Sequence, residues 1–212
     1  LTSFDGAGVH RNPCHPAHAG RGVRTDQKWY HLDQGPRQPG FVGYQGVLTI
    51  FPATGKTGST VVCPGSHKDH AENCARGGKQ PRGPFVRLTA PGDAEYCAAK
   101  AVQLAPLGAG DLIVWDSRVV HCSNGAAADL RPEHVREARG LPPEAPAPSL
   151  LRLVAYIAMI PRSRASARQL EQRRDAVRRG TGSGHDPLKV RASAPSRHYR
   201  APASDDPRWR LV

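Results

Sequence analysis

The sequence predicts a mainly β domain, a β-sandwich or jelly roll. Short runs rich in Val, Ile, Thr and aromatic residues recur along the chain, and few core segments carry a helical period. Gly and Pro, 22 and 20 of 212 residues, punctuate the intervals between those runs. The most apolar run, residues 150–160, is bounded by Pro148 and Pro161. It is too short to span a bilayer and reads as a buried central strand.

Taken in order, residues 1–27 read as loop, because Gly6, Gly8, Pro13, Pro16, Gly20 and Gly22 break any periodicity. His10, Cys14, His15 and His18 in this stretch are zinc-competent types, but no second Cys or His pair follows at finger-like spacing. The stretch is therefore read as a polar loop. Residues 29–33 are predicted as a strand, whose period of two places Trp29, His31 and Asp33 on one face and Tyr30 and Leu32 on the other. Residues 34–42 form a turn-rich connection, and strands are expected at 43–51, 59–63 and 111–115. Pro64-Gly65-Ser66-His67 suits a strand exit, with Ser66 bonded to the backbone and His67 structural. Segment 68–99 is expected to be a lid-like insertion holding one short helix near 68–76 and a short strand at 85–88, with 102–104 extended. Gly108 to Asp111 is a turn, and a tight polar connection through residues 116–118 delivers His121.

Segment 126–148 reads as a second insertion, with a helical turn or two at 132–138 capped by Asp129 and an extended Pro-rich stretch after it. Residues 163–178 are good helix formers with few apolar positions, so a surface helix ended by Gly180 or Gly182 is expected. Residues 181–212 read as an extended tail anchored by Tyr199, Trp209 and Leu211. The chain thus divides into a β domain, 1–162, and a basic C-terminal helix and tail, 163–212.

This length supports one domain with a real core. There is no membrane-length apolar run and no basic-then-apolar leader, and because the chain begins at Leu1 it is read as a processed product or a fragment. Five cysteines, an odd number without CxxC spacing, point to reduced thiols in an intracellular, cytoplasmic protein. The net charge of +12 is uneven, with thirteen Lys or Arg against five Asp or Glu from Arg162 onward. A basic surface attracts nucleic acid, anionic membranes or anionic small molecules, although a compositional bias of the genome explains it as readily. Tyr199 and Trp209 are too few stacking platforms for a single-strand-binding groove, so nucleic acid is not the favoured partner. Oligomeric state is left open.

The chemistry centres on His31, Asp33 and the distant His121. Two imidazoles and one carboxylate are the ligand set associated with non-haem Fe(II) oxygenases. A single His-x-Asp in a chain with ten histidines is as readily structural. Arg152 lies inside the most apolar run, where a guanidinium is costly unless paired, and a carboxylate is its best-shaped partner. A protein carboxylate would serve that need as well as a ligand. Asp111 is read as ordering a turn, Asp116 as lying beside the site or in a solvated turn, and Trp29 as pocket wall or core. Only one of Tyr44 and Gln45 can face the cavity.

Trp29-x-His31-x-Asp33, a Gly-rich turn before Thr60-Val61-Val62 and Pro64-Gly65-Ser66-His67, Gly110-Asp111 and Trp115-x-Ser117 before His121, and an Arg-led final strand occur together. In this combination residues 28–163 resemble the phytanoyl-CoA dioxygenase family. The resemblance implies a double-stranded β-helix (jelly roll, cupin-like) with surface helices. It implies Fe(II) held by His31, Asp33 and His121, and 2-oxoglutarate held at its far carboxylate by Arg152 and Ser123. It further implies hydroxylation of a small organic substrate, anionic molecules included, with release of succinate and CO2. Asp33 favours hydroxylation, since related halogenating enzymes replace this carboxylate by a small residue. The spacing departs from the family, whose arginine lies about ten residues after the second histidine. Arg131 occupies that position here, but it falls in the polar insertion, so Arg152 is preferred. The alternatives are a non-oxidative metal-binding protein of cupin type and a basic nucleic-acid-binding protein with incidental histidines.

Overall fold

A computed structural model describes residues 1–3, 6–18, 20–23, 28–76, 85–190 and 198–212. Its strands are β1 (Ala7–Arg11), β2 (His31–Leu32), β3 (Tyr44–Thr49), β4 (Thr60–Val62), β5 (Val86–Arg87), β6 (Val102–Gln103), β7 (Leu112–Asp116), β8 (His121–Ser123) and β9 (Leu150–Met159). The helices are α1 (His70–Arg76), α2 (Asp93–Lys100), α3 (Pro132–Ala138) and α4 (Ala167–Arg179). The strands form two sheets, ordered β1-β9-β3-β7 and β5-β2-β8-β4-β6. Every pairing between these strands is antiparallel. This is the jelly roll that the sequence predicts.

Period-two alternation sorts each strand of the second sheet into an apolar and a chemical face. Leu32, Val61, Val86 and Cys122 join Cys74 of α1 and Cys97 of α2 in one buried cluster. The intervening His31, Thr60, His121 and Ser123 line a cavity whose other wall is Gln45, Val47, Arg152 and Val154 of the first sheet. Helices therefore cover the outside of the five-stranded sheet, and the cavity lies between the two sheets.

Residues 7–11, read as loop, are an edge strand paired with β9, Gly8 opposite Val154. Tertiary pairing overrides the local signal there. Gly8 itself permits it, since a Cβ at that position would lie 2.6 Å from the Tyr156 hydroxyl and 2.9 Å from a Val154 methyl. The strand predicted over 29–33 is paired only at His31 and Leu32, and Asp33 lies in the bend that follows. The segment 68–99 contains α2, which was not anticipated. It begins after Gly92, at φ 84°, with the Asp93 carboxylate accepting the Ala90 N–H at 2.7 Å. Residues 77–84 of that segment and 191–197 of the tail lie outside the described residues. Asp129 does not cap α3: Arg131 is the cap residue, with its N–H donating to His134 Nδ1, and Asp129 pairs with Lys56.

Other local expectations hold. Ser66 Oγ accepts the Val120 N–H at 2.9 Å, and Asp111 accepts the Gly108 N–H at 2.8 Å. All five cysteines are unbridged. No helix among the described residues is long and apolar enough to cross a membrane. Helix α4 starts at a Ser166–Gln169 capping box and stops at Gly180, φ 71°. It is not wholly superficial, for Arg173 and Ala176 are buried.

Gly46 of β3 has no room for a side chain, since a Cβ there would stand 2.2 Å from the Ile113 carbonyl oxygen of β7. Backbone cannot yield as a flexible side chain can. Gly46→Val is expected to destabilise the fold by about 1–3 kcal/mol, seen as a lower urea midpoint at unchanged slope. An unaltered midpoint would show that β3 and β7 are not so closely apposed.

Candidate metal centre

The site is set by register. In the β2–β8 ladder His31 lies directly opposite His121, and their rings lie 4.3 Å apart, centroid to centroid. The bend after Leu32 then turns the Asp33 carboxylate to both. Its Oδ2 lies 3.5 Å from His121 Nε2, and its Oδ1 lies 3.9 Å from His31 Nε2. One donor atom from each residue lies within 4.8 Å of the other two, close enough to share a metal ion.

The histidines are oriented alike. His31 Nδ1 lies 3.1 Å from the Trp29 carbonyl, and His121 Nδ1 lies 3.0 Å from the Val119 carbonyl. A carbonyl only accepts, so each Nδ1 carries a proton, and each Nε2 is left facing Asp33. Burial, then the neighbouring His121, pushes His31 down to about 3. The imidazole is therefore neutral and competent as a ligand. Burial alone would raise the Asp33 carboxyl, but the hydrogen bond from His121 and the surrounding imidazoles hold it well below the usual carboxylate range. Gln45 Nε2 donates to Asp33 Oδ2 at 3.1 Å, which settles that Gln45 rather than Tyr44 faces the trio. Trp29 stacks on His31 at 4.4 Å and Trp115 tilts against His121 at 4.9 Å, walling the imidazoles on either side.

Beyond the trio, Arg152 is 2% exposed. Its Nη1 donates to Ser123 Oγ at 2.8 Å and its Nη2 to Thr60 Oγ1 at 3.1 Å. Those hydroxyls are themselves a cross-strand pair, Thr60 opposite Ser123 in β4 and β8. None of the ion pairs among the described residues gives Arg152 a carboxylate, and its Nε has no hydrogen-bond partner there. Burial pulls the guanidinium down to about 10, still protonated at neutral pH. His10, its neighbour in β1, is pushed down to about 4 by burial and by Arg152, so it supplies no further charge.

His31, Asp33, His121, Ser123 and Arg152 all line one cavity of about 100 Å³. Arg131 does not join them; its side chain is exposed at the start of α3, 3.9 Å from Glu133. Asp116 is engaged by Arg118 at 2.7 Å in the turn before β8. Two wall residues escaped the sequence reading. Thr60 could have been found from alternation, since it takes the opposite face to the apolar Val61. His185, also in the wall, comes from the C-terminal tail and carries no local signal.

A family model described as phytanoyl-CoA dioxygenase (PhyH) matches residues 8–129. Among solved structures the chain is similar to EvdMO1, at 18% identity and a TM-score of 0.39, over 66% of this chain and 24% of that one. It is also similar to AviO1 from Streptomyces viridochromogenes Tue57, at 19% identity and a TM-score of 0.33, over 66% of this chain and 48% of that one. The chain therefore spans less than half the length of either protein. No curated protein matches it. With the matched segment covering more than half of its residues, the chain belongs to the phytanoyl-CoA dioxygenase family.

Proposed function

We propose that this protein is an Fe(II)- and 2-oxoglutarate-dependent dioxygenase that hydroxylates a small organic molecule and releases succinate and CO2. The family is one of iron-dependent oxygenases. The observation that carries the finer reading is the guanidinium of Arg152, buried beside the His-Asp-His trio with hydroxyl partners and no carboxylate among the described residues. A charge held in that state is costly, and an anionic ligand relieves the cost.

The donor set fits the metal: two imidazoles and one carboxylate leave neighbouring coordination positions open. The cavity fits the co-substrate. Arg152 Nε and Trp115 Nε1 are buried donors without partners among the described residues, and both residues line it. Unpaired donors suit an acceptor-rich dianion. When bound, iron and 2-oxoglutarate supply the oxidising power, and the chain's residues orient, neutralise and dry the site. His31, Asp33 and His121 would hold the ion, with Gln45 fixing the Asp33 carboxylate through Oδ2. Arg152, held by Thr60 and Ser123, would fix the far carboxylate of the co-substrate. Trp29 and Trp115 exclude water from the imidazoles. In this reading residues 1–162 are the oxygenase domain, and 163–212 are a basic C-terminal segment that adds wall to it.

Anaerobic titration of the full chain with Fe(II) and 2-oxoglutarate is expected to give the weak metal-to-ligand charge-transfer band. Asp33→Ala should weaken metal binding by more than the roughly 10–100-fold that losing an outer partner costs. A folded wild type that gives no band rules the proposal out.

Arg152→Met is expected to raise the KM for 2-oxoglutarate by about 10–100-fold, from the loss of a charged hydrogen bond worth about 1.5–3 kcal/mol. Without ligand it should not lower the melting temperature, since it removes an unpaired buried charge. An unchanged KM would show that Arg152 does not hold the co-substrate.

A further inference from the structure

A second, larger cavity of about 650 Å³ adjoins the metal centre. Asp33, Gln45 and His185 line both cavities, so these three residues form the neck between them. One wall is the start of β3 with the C-terminal end of β9. The other is a strap, residues 183–190, that lies beyond the segment matched by the family model. The strap is tethered from within. Arg173 of α4, fully buried, donates to the Pro187 carbonyl, to Thr2 O at 2.6 Å and to Leu211 O at 3.4 Å. Three separated pieces of chain are thus pinned to one guanidinium. The His185 ring meets Tyr156 edge-on at 5.5 Å, which sets the tip of the strap against the metal-site wall.

Several polar groups lining this chamber are already paired or hydrogen-bonded. Lys189 lies 3.3 Å from Asp186, and Arg164 donates to the Phe41 carbonyl at 2.6 Å. Gln34 Oε1 likewise accepts the Ser117 hydroxyl at 2.6 Å. The neck differs. Gln45 is 7% exposed, its Nε2 is held by Asp33, and its Oε1 is buried with no hydrogen-bond partner among the described residues. The carboxylate fixes the orientation of the amide, because only the NH2 end can donate to it. An acceptor is therefore left at the one place where a molecule in the chamber would meet the metal centre. An unsatisfied buried acceptor calls for a donor, and a carboxylate or phosphate cannot provide one.

We propose that the chamber closed by the 183–190 strap is the substrate site, and that it selects a neutral molecule presenting a hydroxyl or amide N–H to Gln45 Oε1. The assignment deepens the oxygenase reading and rests on it for the word substrate. Gln45 then has two duties: one end of its amide orients Asp33, and the other sets which carbon of the bound molecule faces the metal. The strap supplies the wall opposite, so the C-terminal segment takes part in recognition.

Binding by the full chain, with no metal added, can be read by saturation-transfer NMR with three probes of similar size: cyclohexanol, cyclohexanone and cyclohexanecarboxylate. Cyclohexanol should bind about fivefold or more tightly than the other two, the order expected of one hydrogen bond. Gln45→Met should bring alcohol and ketone within about twofold. Val190→Trp, which fills the strap side of the chamber, should abolish binding of all three, with circular dichroism confirming the fold of each variant. Equal binding of alcohol and ketone by the wild type overturns the proposal, as does a preference retained in Gln45→Met. Wild-type-like binding by Val190→Trp overturns the placement in the chamber. Should Gln45→Met fail to fold, the wild-type comparison and Val190→Trp still decide the matter. Because no metal is present, these results are independent of the charge-transfer titration, and the two readings can fail separately.

Discussion

One backbone register, His31 opposite His121, governs the candidate metal centre of this molecule. It brings together imidazoles ninety residues apart and turns both Nε2 atoms the same way, because each Nδ1 is tied to a carbonyl two residues back. A slip by one residue would send His121 into the apolar cluster and Cys122 into the cavity. The fold resists such a slip through Leu32, Val61 and Cys122, whose burial against α1 and α2 fixes the sheet from its other face. Packing on the outside thus holds the chemistry on the inside.

A cost is carried at the same place. Arg152, Arg152's unpaired Nε, the Trp115 indole N–H and the Gln45 carbonyl are buried polar groups left without full partners among the described residues. Folding alone does not favour such groups, since each loses water without full return. Such groups occur elsewhere in the fold too, but these three line one cavity, where a ligand would supply the missing partners. The Thr60 and Ser123 hydroxyls direct the guanidinium without neutralising it, which keeps its charge available. Spacing in sequence misleads here: Arg131 stands nearer His121 along the chain, yet a surface helix carries it away.

The C-terminal segment has a comparable economy. Its arginines are mostly exposed, but Arg173 is turned inward and gathers the strap, the N-terminus and the chain's last turn onto α4. The tail consequently contributes His185 and its neighbours to two cavities. The excess positive charge of this region says less about the molecule's partners than the buried Arg173 does.

Much of this was legible from the amino-acid order. The β architecture, the strand at 150–160 and the helix at 132–138 follow from alternation, punctuation by Gly and Pro, and side-chain chemistry, all of which act over a few residues, whereas the grouping of His31 and Asp33 with His121 rested on the resemblance to the phytanoyl-CoA dioxygenase family. Arg152 stood out because a guanidinium in an apolar strand demands a partner wherever the strand is placed. Other features required the third dimension. The edge strand at 7–11 forms only because β9 offers it a ladder, and its glycine punctuation reads locally as loop. The choice of Gln45 over Tyr44, the support of Arg152 by Thr60, and the arrival of His185 from the far end of the chain depend on contacts between segments distant in sequence. Local patterns state which face of an element is apolar; only the packed sheets decide which residues meet across the gap, because that depends on register and on how remote segments fill the same space.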